Sequence, residues 1–373
     1  MNRTTVAFSM QKQPKDAVAE VTSKIKAESN GRIPKLLIFS ANTGIFPTVA
    51  QLLFDEFPMS VTIGQSSFIN FSSEGYDDEG LSVMAIFDDI ECASGVLLEV
   101  TTYPMRYLSH ITNAVNNLSS LNNTCCIEFT TAFGNCEELV QDTFRKALSS
   151  VEVPVVGGSS GAGAGEKVTY VSLNGGVYEE ACVFVLIRNL RGKIRIFKEN
   201  LFKPTEHYFT ATDVDCDERA VYEYDGQPAS QVIANALHVP VVQLKQFLEM
   251  HPVGRIEGDQ IYITDVDDVS PDGKITYFSR IYNHTQVVQL EVDDMDMVWD
   301  LTANEIHRLM ENISFSLVVN CLTRSRYFVS GGRFEDFNSR LKNEYGDFIG
   351  VSGYGEQMNY EHLNQTMLIA CFE

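Results

Sequence analysis

Gly157-Gly-Ser-Ser-Gly161 sets Ser159 in the spacing of a serine nucleophile carried on a sharp turn. That chemistry needs a strand, a tight turn and then a helix, so that the hydroxyl stands exposed. Here Ala162-Gly-Ala-Gly-Glu-Lys-Val-Thr-Tyr-Val171 follows and leads into a strand. Turn geometry therefore explains the glycines better than a serine hydrolase built on Ser159. The same run fails as a phosphate loop, because Lys167 follows Glu166 rather than Gly. Gly161, Gly163 and Gly165 also lack the helix whose amino end would hold a pyrophosphate. Asp213, Asp215 and Asp217 open like a calcium loop, yet Glu218 and Tyr224 stand where that loop needs Gly and Glu. Asp265, Asp267 and Asp268 fail likewise, and both groups read as solvated acidic turns.

None of the seven histidines has a partner at metal-ligand spacing, so no metal site is expected. His251, in His251-Pro-Val-Gly254, is the residue that would ligate a haem iron if one binds; a hydrogen-bonded structural histidine is its ordinary alternative. Arg324 follows the apolar run Leu317 to Cys321, and Glu356 follows Gly353-Tyr-Gly355. Ligands of open α/β sheets bind beyond the carboxyl ends of parallel strands. Arg324 at such a place could clamp a carboxylate with its fork of donors. An Arg324–Glu356 ion pair bracing the terminal segment is the alternative.

These residues lie on a repeated framework. An apolar strand ending in Gly-x-Ser occurs three times, at Val61-Thr-Ile-Gly-Gln-Ser-Ser67, Pro154-Val-Val-Gly-Gly-Ser-Ser160 and Asp347-Phe-Ile-Gly-Val-Ser-Gly353. A strand precedes each (Leu36–Phe39, Cys126–Phe129, Leu317–Asn320), and another follows a turn-rich interval (Leu81–Phe87, Ala181–Ile187, Thr366–Phe372). Between the first two strands of each copy the apolar period predicts a helix. Its inward residues are Val49, Leu52 and Leu53 after Pro47, then Leu139, Val140, Phe144 and Leu148, then Phe334, Phe337 and Leu341. Asn135 with Glu138 is expected to cap the second of these. The unit is β-α-β-β, its first connection parallel and right-handed, its last strand antiparallel through a hairpin.

The stripe Ala17, Val18, Val21, Ile25 predicts an amino-terminal helix. Residues 193–316 read differently. Pro228 and Pro240 open short helices through Val232, Ile233 and Leu237 and through Leu244, Phe247 and Leu248. Strands Ile261–Thr264 and Ile275–Phe278 flank the turn Ser270-Pro-Asp-Gly273, and Thr302 with Glu305 is expected to cap a helix through Ile306 and Met310. The fold class is α/β, with mixed sheets flanked by helices in two interlocked domains, 1–194 and 195–373.

The 373 residues carry 50 acidic and 28 basic side chains, a formal net charge of −22. Such a surface repels the phosphate backbone and anionic membranes, so neither nucleic acid nor membrane is an expected partner. No run approaches the roughly 20 apolar residues of a membrane span, and no secretory leader is evident. The eight cysteines include no C-x-x-C pair, which favours reduced thiols in a soluble cytoplasmic protein.

The order of Pro154-Val-Val-Gly-Gly-Ser-Ser160, His251-Pro-Val-Gly254, Asn320-Cys-Leu-Thr-Arg324, Gly350-Val-Ser-Gly-Tyr-Gly-Glu356 and Leu363-Asn-Gln-Thr366 resembles the FIST family, as an N-terminal plus a C-terminal domain. The resemblance implies a sensory input module in signal transduction that binds small ligands such as amino acids, without catalysis. Members are joined to histidine kinases, cyclic-nucleotide enzymes or chemotaxis transducers, and some bind haem and sense gases such as nitric oxide. Cys321, Arg324, Gly353, Tyr354, Glu356 and Asn364 match the family's motif positions. The chain departs from that pattern by ending at Glu373 without an output domain, so a separate signalling partner is expected. The expected ligand contacts are Ser159, Ser160, Cys321, Arg324, Tyr354, Glu356 and Asn364, close to residues 40–43 and 131–134.

Overall fold

The computed structural model describes residues 3–258 and 260–373. They form two compact units: Met1–Lys198 with Ala303–Glu361 and Met367–Glu373, and Glu199–Thr302 with His362–Thr366. The first unit contains all three Gly-x-Ser strands.

Its first copy runs β1 (Thr4–Ser9), α1 (Pro14–Ser29), β2 (Leu36–Ala41), α2 (Phe46–Glu56), β3 (Val61–Ser66), β4 (Asn70–Ser72), β5 (Gly75–Asp77) and β6 (Leu81–Ile86). The second repeats this as β7 (Ile90–Leu98), α3 (Leu108–Asn116), β8 (Thr124–Thr130), α4 (Glu137–Leu148), β9 (Val155–Ser159), β10 (Val171–Leu173), β11 (Gly176–Tyr178) and β12 (Ala181–Asn189).

The third opens with β13 (Ile194–Asn200). The inserted segment follows, as β14 (Phe202–Asp215), β15 (Ala220–Tyr224), β16 (Gln227–Pro228), α5 (Ala229–Leu237), α6 (Leu244–Leu248), β17 (Val253–Glu257), β18 (Gln260–Thr264), β19 (Val266–Val269), β20 (Ile275–Tyr277) and β21 (Gln286–Val292). The third copy then resumes through α7 (Met295–Leu309), β22 (Phe315–Cys321), α8 (Leu322–Ser330), α9 (Phe334–Tyr345), β23 (Phe348–Gly353), β24 (Gly355–Met358), β25 (Glu361–Leu363) and β26 (Thr366–Phe372).

Three six-stranded sheets result, in the orders β1-β6-β2-β3-β10-β11, β7-β12-β8-β9-β24-β25 and β13-β26-β22-β23-β4-β5. Each places edge strand, last strand, leading strand and Gly-x-Ser strand in the same sequence. β2–β3, β8–β9 and β22–β23 are parallel. The last strand is antiparallel as expected, but it pairs with the leading strand rather than with the Gly-x-Ser strand. The turn-rich interval forms a small hairpin that leaves its own sheet. β4–β5 joins the third sheet, β10–β11 the first and β24–β25 the second, a closed cyclic exchange.

Helices cover the outer faces as the apolar period requires. Val18, Val21 and Ile25 of α1 and Val49 and Leu53 of α2 pack on Leu37, Phe39 and Val83. Val140, Phe144 and Leu148 of α4 pack on Cys126, Cys182 and Phe184. Phe334 and Phe337 of α9 meet the Phe71 ring at 5.6 and 6.0 Å. Asn135 does not begin α4: Cys136 is the N-cap, with no side-chain cap bond, so the helix starts one residue later than the pattern suggested.

The second unit is an eight-stranded sheet whose core includes Phe209, Val221, Tyr224, Ile233, Leu244 and Val287. The Ser270–Gly273 turn joins β19 to β20, while β18 pairs with β17. A one-residue break at Asp265, whose side chain caps Val266, redirects the chain between β18 and β19. Phe247 is 39% exposed, outside the core expected for it. Thr302 lies inside α7, which begins at Met295. Asp215 accepts the amides of Asp217 and Glu218, so the acidic run is a self-bonded turn.

Candidate functional site

The hairpin exchange puts the ends of β3, β9 and β23 at three crossings. At each crossing one copy's chain donates a backbone bond to the next copy's serine. The Gly161 amide bonds the Ser66 carbonyl at 2.7 Å, Phe68 bonds Ser352 at 2.9 Å, and Tyr354 bonds Ser159 at 3.2 Å. These crossings demand small residues. A Cβ at Gly353 would lie 1.7 Å from the Ser159 oxygen, and one at Gly161 would lie 2.1 Å from the Ser352 oxygen. The hydroxyls complete the seams. Ser66 donates to Gly161 O (2.8 Å) and Ser67 accepts from the Ser352 amide (2.8 Å), while Ser160 donates to Thr130 O (3.1 Å) within its own copy.

Ser159 and Ser160 are fully buried in this network. The Ser159 hydroxyl donates to Glu137 Oε1 at 3.0 Å and accepts from Gln357 Nε2 at 3.0 Å. β9 leads into the β10–β11 hairpin, not into the helix a nucleophile elbow requires.

Beneath Glu137 lies Glu128, which the sequence reading passed over. It is opposite Gly157, the register held by Phe39 and Val318 in the other copies. Thr130, Gln141 and Cys182 donate to its carboxylate at 2.8, 3.0 and 3.3 Å. Burial nevertheless pushes its carboxyl up to about 7, and the neighbouring Glu137 charge adds to the rise. An unfavourable carboxylate stands where the repeat elsewhere is apolar, a departure that lining up the three copies exposes.

Arg324 is buried in the first turn of α8, directly after β22. Its Nε donates to Asn320 Oδ1 at 3.0 Å, and its guanidinium lies 5.7 Å from the Phe328 ring centre. Asn320 in turn donates to Ser325 (2.8 Å), which meets the Ser352 hydroxyl at 2.7 Å. The third Gly-x-Ser serine is thus wired to the Arg324 turn. Cys321 is the buried N-cap residue of α8. Glu356, fully buried on β24, is the cross-strand partner of Gly158, whose Cα hydrogen side faces Val319 of β22. Directly opposed residues share a face, so Glu356 leaves its strand toward β22.

Tyr354 is half-buried, its ring 4.7 Å from that of Phe133. Burial raises its hydroxyl pKa while Arg326 opposes the rise. Arg326, absent from the expected set, lies 5.6 Å from the Phe68 ring, and Glu166 accepts from Thr43 at 2.5 Å. The strand ends are therefore rimmed by Phe68, Phe133, Tyr354, Arg326 and Glu166. Ser159, Ser160, Cys321, Arg324, Tyr354 and Glu356 all belong to the first unit.

Asn364 belongs to the second unit, where its Oδ1 accepts the Asp265 amide at 3.3 Å. His251 is also there, stacked on Phe247 at 6.3 Å.

A row of polar side chains was also missed. Ser82, Ser40 and Gln65 stand side by side on β6, β2 and β3. Ser40 reaches Gly350 O of the third sheet at 3.4 Å, and Asn70 is buried on β4 of that sheet. Among the described residues, the Gln65 and Asn70 amides and the Ser82 hydroxyl find no hydrogen-bond partner. The equivalent registers hold Val183, Phe129 and Gly158 in the second sheet and Leu368, Val319 and Val351 in the third.

No helix among the described residues is long and apolar enough to cross a membrane, and all eight cysteines are free thiols. A search of curated proteins finds no match. Residues 35–227 match the FIST N domain and residues 229–359 the FIST C domain, together spanning most of the chain. Both are sensory domains of signal transduction. With the ordered motifs and these two matches agreeing, the chain belongs to the FIST family.

Proposed function

We propose that this protein is a cytoplasmic sensor that binds an amino acid or similar small carboxylate and passes the signal to a signalling partner, without catalysis. The ligand docks at the strand ends of the first unit, with Arg324 receiving its carboxylate. The observation that carries this reading is the placement of a buried arginine at the carboxyl end of the parallel pair β22–β23. Ligands of open α/β sheets bind at that end, and a guanidinium matches a carboxylate bidentately. The Asn320–Ser325–Ser352 chain links this arginine to the crossing of two sheets, which supports a route from ligand to scaffold.

The test is a thermal-shift screen of amino acids and small carboxylates on wild type and on Arg324→Lys. A ligand at 100 times its Kd adds about 2.7 kcal/mol, which moves the melting temperature by several degrees. The expected result is a hit in one chemical class that Arg324→Lys loses, since an ammonium keeps the charge but not the fork. A hit that survives unchanged in this variant would place the ligand elsewhere.

A further inference from the structure

A separate cavity of about 320 Å³ opens between the β4–β5 hairpin and the α8–α9 pair. This volume lies at the small end of ligand pockets. Phe68, Tyr76 and Phe334 supply aromatic surface, Ile69 and Val329 aliphatic surface, and Asp77, Asp78 and Glu335 carboxylates. The Tyr76 and Phe334 rings are 4.9 Å apart, and Glu335 accepts the Tyr76 hydroxyl. Cations of the neighbouring chain are engaged, Arg333 with Asp336 among them. Lys12 pairs with Glu79 on one side, and Arg326 rests on the Phe68 ring on the other. That Arg326 contact already shows one of these rings taking a cation on its face.

We propose that this cavity binds a small organic ammonium ion, held by the Tyr76 and Phe334 rings and neutralised by the surrounding carboxylates. Ring faces attract cations through their quadrupole. An anionic solute would be repelled by the three carboxylates, whereas a hydrated metal ion gains nothing from the apolar walls. The charge of −22 on the whole chain favours the same sign of ligand. The site shares Phe68 with the rim of the strand ends but not the Arg324 turn, and its test does not depend on the carboxylate reading.

Choline and its neutral isostere 3,3-dimethylbutan-1-ol separate the alternatives, with binding to the full-length protein followed by calorimetry and by proton NMR. Choline is expected to bind at least about tenfold tighter than the isostere. The double variant Asp78→Asn, Glu335→Gln, changed only at exposed positions, is expected to weaken choline at least about tenfold without moving the melting temperature. Equal binding of the two probes, no saturable choline binding, or choline affinity unaltered in the variant would each overturn the proposal. If the variant loses its fold, comparison of the two probes on wild type decides.

Discussion

Glu128 is the residue at which the scaffold pays most visibly for something other than stability. Its partners are a hydroxyl, an amide and a thiol, with Glu137 the nearby charge, so among the described residues no cation offsets its burial. The ordinary carboxyl value near 4.3 describes the unfolded chain, whereas the folded group titrates at about 7. Below both values the two states hold the proton equally. As pH rises past the lower value the unfolded chain ionises first, so stability falls through that window and stays down above it. Glu128→Gln should flatten this fall and raise the urea midpoint at pH 8 more than at pH 5, by an amount on the order of 1–3 kcal/mol. Parallel pH profiles for the two proteins would show that Glu128 is ionised or solvated in the fold.

At the scale of elements, the crossings decide whether the sheets close. Gly353 and Gly161 have ordinary φ, so their side-chain absence serves close approach, not backbone freedom. Gly353→Ala would force a methyl into the Ser159 carbonyl and separate β23 from β9. It should cost roughly 3–5 kcal/mol or prevent folding. Gly165→Ala is the control, since Gly165 has φ +84° but open space around it, and it should cost only about 1–2 kcal/mol. Chemical denaturation of both variants distinguishes the two effects, and equal losses would mean that the crossing tolerates a wider spacing.

Helices and long strands at this scale were legible because α1, α4 and α9 each carry an apolar stripe at helical spacing. The three-residue strands β4, β5, β10 and β11 were not, because three residues hold no periodicity. Thr302 with Glu305 imitated a capping pair inside α7, since local side-chain chemistry does not reveal where a helix's tertiary contacts begin.

For the molecule as a whole, the cyclic exchange makes each copy depend on another for a complete sheet. A fragment of residues 1–198 would keep β10–β11 on the first sheet. It would lose the third sheet that receives β4–β5 and the β24–β25 hairpin that completes the second. Such a fragment should lack a cooperative urea transition and near-ultraviolet dichroism, although it contains two full copies of the repeat. A sharp two-state transition in the isolated fragment would show that the exchange is dispensable.

The chain by itself determined the threefold Gly-x-Ser repeat, the α/β class, the facing of its helices and the motif order that marks the family, because periodicity and spacing are properties of neighbours in sequence. It also singled out Arg324 and Glu356. Only the tertiary structure decided that the serines bond across sheets, that Asn364 serves the second unit, and that Glu128 and Gln65 are buried at registers their counterparts fill with apolar residues or glycine. Those outcomes depend on which strands meet, and strand partners are chosen by packing over long separations that no local pattern encodes.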